Sequence, residues 1–387
     1  MIQSPTQRSW FGIGVLAVGV LAVYLMSISA KHALLFAVGL AMGVTLYHAA
    51  FGFTAAYRRA ITEREISGVT AQLLMLAAAM ILFAPILARG EIFGHGVGGA
   101  VAPVGISMAV GAFVFGIGMQ LASGCGSGTL FTVGGGNLKM LVVLAFFCIG
   151  GFWGSLDLAW WQTLPGIGAV SFGETYGWAV AVAAQLAVLA AIYLALRKLG
   201  GAHRRPLWWN GEFSWRRMLC GPWPLLLAAG LLALLNWATL LIAGHPWSVT
   251  WAFALWAAKA AVFVGWDPAS SGFWADGFPA RALARPVLND ITSVMNIGII
   301  FGASLAATLA GRLAEAGRSI GLGPLLAAIV GGLMLGYGAR LAYGCNIGAF
   351  FSGVASTSLH GWVWIVCAVI GNVLGVRLRP LFSMSRD

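Results

Sequence analysis

Two thiols sit in unusual surroundings. Cys125 lies within Gly124-Cys125-Gly126-Ser127-Gly128, and Cys345 within Gly344-Cys345-Asn346-Ile347-Gly348. A thiol is small, polarizable and a weak hydrogen-bond donor, which suits passing contact with a soft anion that a lysine would hold too tightly to release. The ordinary role of a single cysteine in an apolar stretch is that of a small buried hydrophobe, and Cys148, Cys220 and Cys367 fit that role. Cys125 and Cys345 differ because their surroundings recur in register. Windows 111–131 and 331–351 share nine of 21 positions, which makes them an internal repeat. Gln120 and Arg340 occupy equivalent places five residues before the two cysteines. An arginine inside a membrane is expensive, so Arg340 either faces a pathway and draws anions or pairs with a backbone carbonyl at a helix end. Asn346, beside Cys345, is the one asparagine expected to line a site. The candidate pathway therefore comprises Cys125, Cys345, Gly124, Gly126, Gly128, Gly344, Asn346, Gly348, Gln120 and Arg340.

Other chemistries find little support. Five cysteines at wide spacing, without C-x-x-C, signal neither a disulfide frame nor a zinc site, and six dispersed histidines add no metal cluster. Gly116-x-Gly118 and Gly336-x-Gly338 follow no strand, so they are packing glycines and not a nucleotide fingerprint. No ATPase motif is present, and neither enzyme activity, a metal nor a cofactor is expected. The net charge of +11 comes from arginines in a few polar stretches with no aromatic-interleaved basic face, which argues against nucleic acid.

The elements that must position these residues are membrane helices. Sixty per cent of the 387 residues are apolar and only nine per cent are charged, against roughly 25% charged in soluble domains. Apolar runs of about 20 residues, the length that crosses the hydrocarbon of a bilayer, recur at 10–26, 33–56, 67–88, 138–156, 176–196, 222–242, 249–264, 291–309 and 362–376. Two further runs, 104–131 and 324–351, are interrupted by the Gly-Cys segments. Glycine lowers helix propensity by about 1 kcal/mol and frees positive φ, so each helix should break there. An unwound backbone is tolerated in a membrane only when buried in protein or lining a cavity, and paired broken helices mark transporter binding sites. Their ends also present unpaired N–H groups that favour anions.

These features predict an all-α polytopic membrane protein of two pseudo-symmetric, inverted halves, with about nine transmembrane helices plus two re-entrant broken segments, 104–136 and 324–358. The first half is expected to cover 1–197 and the second 221–387, joined by a basic linker at 198–220. Five spans precede the linker and four follow it, so the re-entrant segments should enter from opposite faces. The positive-inside rule then makes the linker and the tail cytoplasmic and the N-terminus periplasmic. Arg58, Arg59 and Arg64 would lie on the periplasmic side, partly offset by Glu63 and Glu65.

The segments Gly338 to Gly353 and Gly118 to Gly126 carry a repeated G-x-G-x2-L-A-x-G-C pattern. In this, and in Gly52 to Arg58 and Gly265 to Pro268, the chain resembles the YeeE/YedE family of bacterial sulfur-compound transporters along most of its length. The resemblance implies an inner-membrane hourglass with re-entrant helices at its waist, where Cys125 and Cys345 would pass an anion, thiosulfate above all, by weak S–H contacts. It also implies a small soluble sulfur-carrier protein as partner, beside the sulfur anion and membrane lipid. Gly52 stands where the family often has a third pathway cysteine. Another sulfur or selenium species, or a membrane sulfur relay forming a Cys persulfide, therefore stays open. A persulfide wants a cation or a helix N-terminus near the thiol, and Arg340 keeps that reading available.

Overall fold

In hydrocarbon the backbone must satisfy its own N–H and C=O groups, so long apolar runs become helices. A computed structural model of the protein describes residues 7–210, 214–313 and 320–386. Its principal helices are α1 (Arg8–Ile28), α2 (Ala30–Ala49), α3 (Phe53–Glu63), α4 (Ser67–Arg89), α5 (Ile106–Ala122), α6 (Gly126–Gly134) and α7 (Leu138–Leu156). Then come α8 (Trp178–Lys198), α9 (Leu225–Ala243), α10 (Thr250–Phe263), α11 (Ile291–Leu309) and α12 (Leu322–Leu341). The chain closes with a π-helical stretch (Asn346–Phe351), α13 (Ser352–Ala355) and α14 (Leu359–Leu378). Side chains fix several starts by accepting a backbone N–H: Ser29 from His32 at α2, Asn137 from Met140 at α7, and Asp290 from Ser293 at α11.

Small residues let the helices approach closely, as expected where lipid tails compete with any apolar side chain for contact. They also reveal helix direction. Gly111 packs on Gly338 and Leu341, and Gly118 on Gly331 and Leu335, so α5 and α12 run antiparallel. Gly150 packs on Leu333, and Gly154 on Tyr337 and Arg340, so α7 runs parallel to α12. Gly116 meets Ala368 and Gly375 meets Ile117, so α14 runs parallel to α5. Helices α5 and α7 therefore point in opposite directions. Likewise α4 packs on α9 where α2 packs on α11, and α8 packs on α4 where α1 packs on α11. Equivalent helices of opposite direction make the architecture an inverted repeat.

The all-α polytopic architecture holds, with two corrections. Because α5 and α7 are antiparallel, α5–α6 crosses the membrane and does not turn back at Cys125; α12–α13 crosses in the reverse sense. Among the described residues, ten segments are long and apolar enough to span, including both of these. The second correction concerns the run at 249–264, which forms a helix of only 14 residues, too short to cross. It starts at buried Val249 and ends at exposed Phe263 and Val264.

Contacts place both described ends on one face. The Gln7 amide donates to the Thr308 carbonyl at 3.0 Å, and Leu313 donates to the Gln7 side chain at 3.1 Å. Leu309 and Arg312 in turn border the linker residues Arg216 and Arg217. Tail residue Phe382 packs on Gly323 at the start of α12, and Lys139 donates to Met384 Sδ at 3.7 Å. The expected separation of N-terminus from tail does not fit these contacts of the described residues. Nor does the expected placement of Arg58, Arg59 and Arg64, because α3 ends on the linker face. There the Ile66 amide donates to the Ala202 carbonyl at 3.0 Å, Ser67 Oγ donates to the Arg205 carbonyl at 2.9 Å, and Arg59 Nε lies 3.4 Å from Glu65 Oε2. Burial alone would raise the Glu65 carboxyl; hydrogen bonds from Ser67 and the charges of Arg59 and Arg205 outweigh it and hold it below its ordinary value.

Candidate functional site

Four half-helices begin inside the protein. Gly52 caps α3, Cys125 caps α6, Val249 caps α10 and Cys345 caps the π-helical stretch. At both Gly-Cys breaks the backbone follows one recipe: a left-handed residue, Ser123 (φ 62°) or Tyr343 (φ 59°), then glycine, then an extended cysteine. Positive φ was expected at the flanking glycines, but only Gly344 (φ 146°) shows it. The turn residue before the glycine carries it instead.

The four starts converge. A Cβ on Gly126 would lie 2.9 Å from Cys345 Sγ and 3.5 Å from Val249 Cγ1. The Phe53 and Gly128 amides lie against Cys125 Sγ, and Tyr57 lies beside both Asn346 and Cys125. Cys125 Sγ is 3.8 Å from Ser127 Oγ, and Cys345 Sγ accepts from the Ile347 amide at 3.5 Å. The loop before α10 is pinned into the interior by side chains. Asn236 Oδ1 accepts from the Trp247 amide at 2.8 Å, Ser352 Oγ donates to the Trp247 carbonyl at 2.9 Å, and Asn296 Nδ2 donates to the Val249 carbonyl at 2.9 Å.

Electrostatically the waist is positive without carrying a formal charge. Three half-helices of eight or more residues direct their N-terminal ends at it, each bringing a partial positive charge. Around them, Thr54 Oγ1 is buried with no protein hydrogen-bond partner, and Tyr57 Oη and the Asn346 side-chain amide are buried facing each other without a well-formed hydrogen bond. Leaving such groups unmatched costs about 1–3 kcal/mol each, so a cluster of them calls for an explanation in function. Among the described residues no cationic side chain lies against either thiol; their neighbours are amides and a hydroxyl. That environment binds an anion weakly.

Toward each face the waist continues differently. Arg340, with Ser248, Thr250, Trp251, Tyr343 and Gly344, lines a cavity of about 230 Å³. Its guanidinium lies 4.2 Å over the Phe273 ring, and its Nε is buried without a hydrogen-bond partner. Gln120 lines no comparable space: its Nε2 donates to Asn372 Oδ1 at 2.6 Å and to the Thr54 carbonyl at 3.2 Å. Arg379 then closes that side by donating to the Gln120 carbonyl at 2.7 Å and to Ser123 Oγ at 3.2 Å.

A family model described as sulphur transport matches residues 48–374. The chain belongs to that family. Among curated relatives, the thiosulfate transporter TsuA of Spirochaeta thermophila is 26% identical over 87% of this chain and 95% of its own length. The probable transporters YedE of Escherichia coli K12 and of Salmonella typhimurium LT2 are 32% and 30% identical over 46% of this chain. The chain spans 43% of the length of these YedE relatives.

Within this family member the structure brings Cys125, Cys345, Gly126, Gly128, Asn346 and Gly348 together, with Gly124 and Gly344 shaping the two turns. Arg340 stands one step out on the opposite face, and Gln120 belongs to the packing between α3, α5 and α14. Cys148, Cys220 and Cys367 lie on α7, in the linker and on α14, apart from the waist. Sequence reasoning did not anticipate Thr54, Tyr57, Trp247 and Val249. A Thr and a Tyr directly after Gly52, in an otherwise apolar run, were the available signal. Among the described residues, no group of three His, Cys, Asp or Glu side chains could hold a metal ion.

Proposed function

We propose that this membrane protein carries a small sulfur oxyanion, thiosulfate first, through the waist between Cys125 and Cys345. The observation that carries the reading is the meeting of the two Gly-Cys turns, with Gly126 against Cys345 Sγ, amid buried polar groups without well-formed hydrogen bonds. Half-helix dipoles attract the anion, while thiols and an asparagine hold it too weakly to trap it. The near full-length likeness to a thiosulfate transporter favours thiosulfate among sulfur anions.

Orientation belongs to the same proposal. The linker face carries Arg58, Arg59, Arg64, Lys139 and Arg197 with Lys198, and it is cytoplasmic by the positive-inside rule in a bacterial inner membrane. Both described ends then lie inside, and a small soluble sulfur-carrier protein would meet the transporter on this face. We also place the boundary between repeats before α8, since α8 packs on α4 as α1 packs on α11. Each repeat then contains five crossings.

The test is uptake of labelled thiosulfate into proteoliposomes, with sulfate and selenite as competitors. Cys125→Ala and Cys345→Ala are expected to lower uptake by tenfold or more while the protein still inserts and purifies normally. Unchanged uptake in both variants would overturn the thiol pathway. A stable gain of one sulfur mass on the intact protein would favour a persulfide relay instead.

A further inference from the structure

Outside the waist, one half-buried charged side chain borders a cavity. Among the described residues, Arg340 is the only charged one lining the 230 Å³ cavity on the face opposite the linker. Its Nε is buried without a partner and its guanidinium carbon lies 4.2 Å over Phe273. Asp290, which bonds the wall residue Trp251, is already engaged: it accepts from Trp251 Nε1 at 3.0 Å and from the Ser293 amide at 2.7 Å. A cation held partly out of water with no counter-charge is unfavourable, and it persists where it meets an opposite charge during function.

We infer that this cavity is an oxyanion-staging site, which takes a small tetrahedral oxyanion from outside and presents it to the waist. Arg340 supplies the charge and directional N–H donors, and the hydroxyls of Ser248 and Thr250 supply neutral contacts. The volume holds such an anion with several of its waters, at about 30 Å³ for each water. Continuity with the waist is direct. Gly344 lines the cavity and precedes Cys345, and Ser248 Oγ lies 3.7 Å from a Cβ built on Gly348.

Phe273 is a positioning residue for Arg340. Stacking on a ring fixes the guanidinium plane and leaves its edges for the anion, a geometry lysine cannot reproduce. The ring is itself held: Phe273 packs edge-on to Trp274 at 5.2 Å, Trp274 stacks on Trp251 at 5.7 Å, and Trp274 Nε1 donates to Ser155 Oγ at 2.7 Å. A rigid aromatic wall thus sets the direction of the one cation.

This inference rests on the transport reading for its direction of flow but not for binding, and the experiment separates them. Equilibrium binding of labelled sulfate and thiosulfate to the purified full-length protein is measured beside concentration-dependent thiosulfate uptake in proteoliposomes. Arg340→Gln is expected to weaken anion binding about tenfold and to raise the half-saturating concentration by a similar factor, with maximal uptake within about twofold. Arg340→Lys should recover only part of the loss, and Phe273→Leu should weaken binding about threefold while Phe273→Tyr restores it. Unchanged affinity and half-saturation in Arg340→Gln overturns the site. So does full recovery by Arg340→Lys, or a Phe273→Leu variant that binds normally, because each removes the need for an oriented guanidinium. If the wild type binds sulfate through Arg340 yet carries no thiosulfate across the vesicle, the site stands and the transport reading fails.

Discussion

The two Gly-Cys breaks share a backbone and differ in what surrounds it. On α5 the residue five before the cysteine is Gln120, whose Nε2 is spent on Asn372 and Thr54 and whose backbone carbonyl is capped by Arg379. On α12 it is Arg340, whose Nε has no partner and which lines a cavity. Beyond the cysteines, α6 begins with Gly126, small enough to accept Cys345 Sγ, while the other half offers the polar amide of Asn346 beside Tyr57. One half packs, and the other is the one proposed to bind. An inverted repeat gives two similar mouths; the side chains line one of them with a charge and close the other with arginine and the tail.

The severest challenge to that comparison is Gln120→Arg, which would make the two mouths alike. Gln120 is fully buried, with its Nε2 held by Asn372 and Thr54 and its Oε1 without a hydrogen-bond partner, so a second arginine there has no counter-charge. Thermal unfolding in detergent should show a loss of roughly 3–5 kcal/mol and uptake should not rise. A stable, faster variant would show that the halves are interchangeable.

A narrower probe is Gly126→Ala. Its Cβ would meet Cys345 Sγ at 2.9 Å, so the thiol must move, at about 1–3 kcal/mol for overpacking. Uptake in proteoliposomes should fall by roughly tenfold. Wild-type uptake would mean that Cys345 does not face the passage at that point.

The mildest pair sharpens the comparison at equivalent positions. A Cβ on Gly128 would lie 3.2 Å from Cys125 Sγ, whereas one on Gly348 meets only Ser248 Oγ at 3.7 Å. Gly128→Ala should lower uptake by about two- to threefold and Gly348→Ala should leave it within error. Equal losses would put both glycines under the same constraint and remove this asymmetry.

Legibility followed the physics of each feature. The Gly-Cys turns could be read because glycine and cysteine in register are rare in apolar helices, and the waist is built around them. The breaks before α3 and α10 were hidden because the residues on either side stay apolar: 33–56 reads as one run although Ala50 to Gly52 interrupts it, and 249–264 reads as a full span although α10 starts halfway. Hydropathy reports the solvent of a segment and carries no direction. For that reason the broken segments were expected to turn back, and the N-terminus was expected on the face opposite the tail. Thr54 and Tyr57 escaped notice because their partners lie on segments distant in the chain.

Composition and spacing by themselves determined that this is an all-α membrane protein with an internal repeat, that two cysteines lie at broken helices, and that Gln120 and Arg340 are counterparts. These follow from local properties: transfer of apolar side chains to lipid, the helix-breaking tendency of glycine and periodic identity. Tertiary structure alone decided that the broken segments cross, that four half-helix starts meet, and that Arg340 faces a cavity while Gln120 is consumed by packing. Those outcomes depend on which helices lie side by side and in which direction, set by close contacts such as Gly111 on Gly338 between residues more than 200 positions apart.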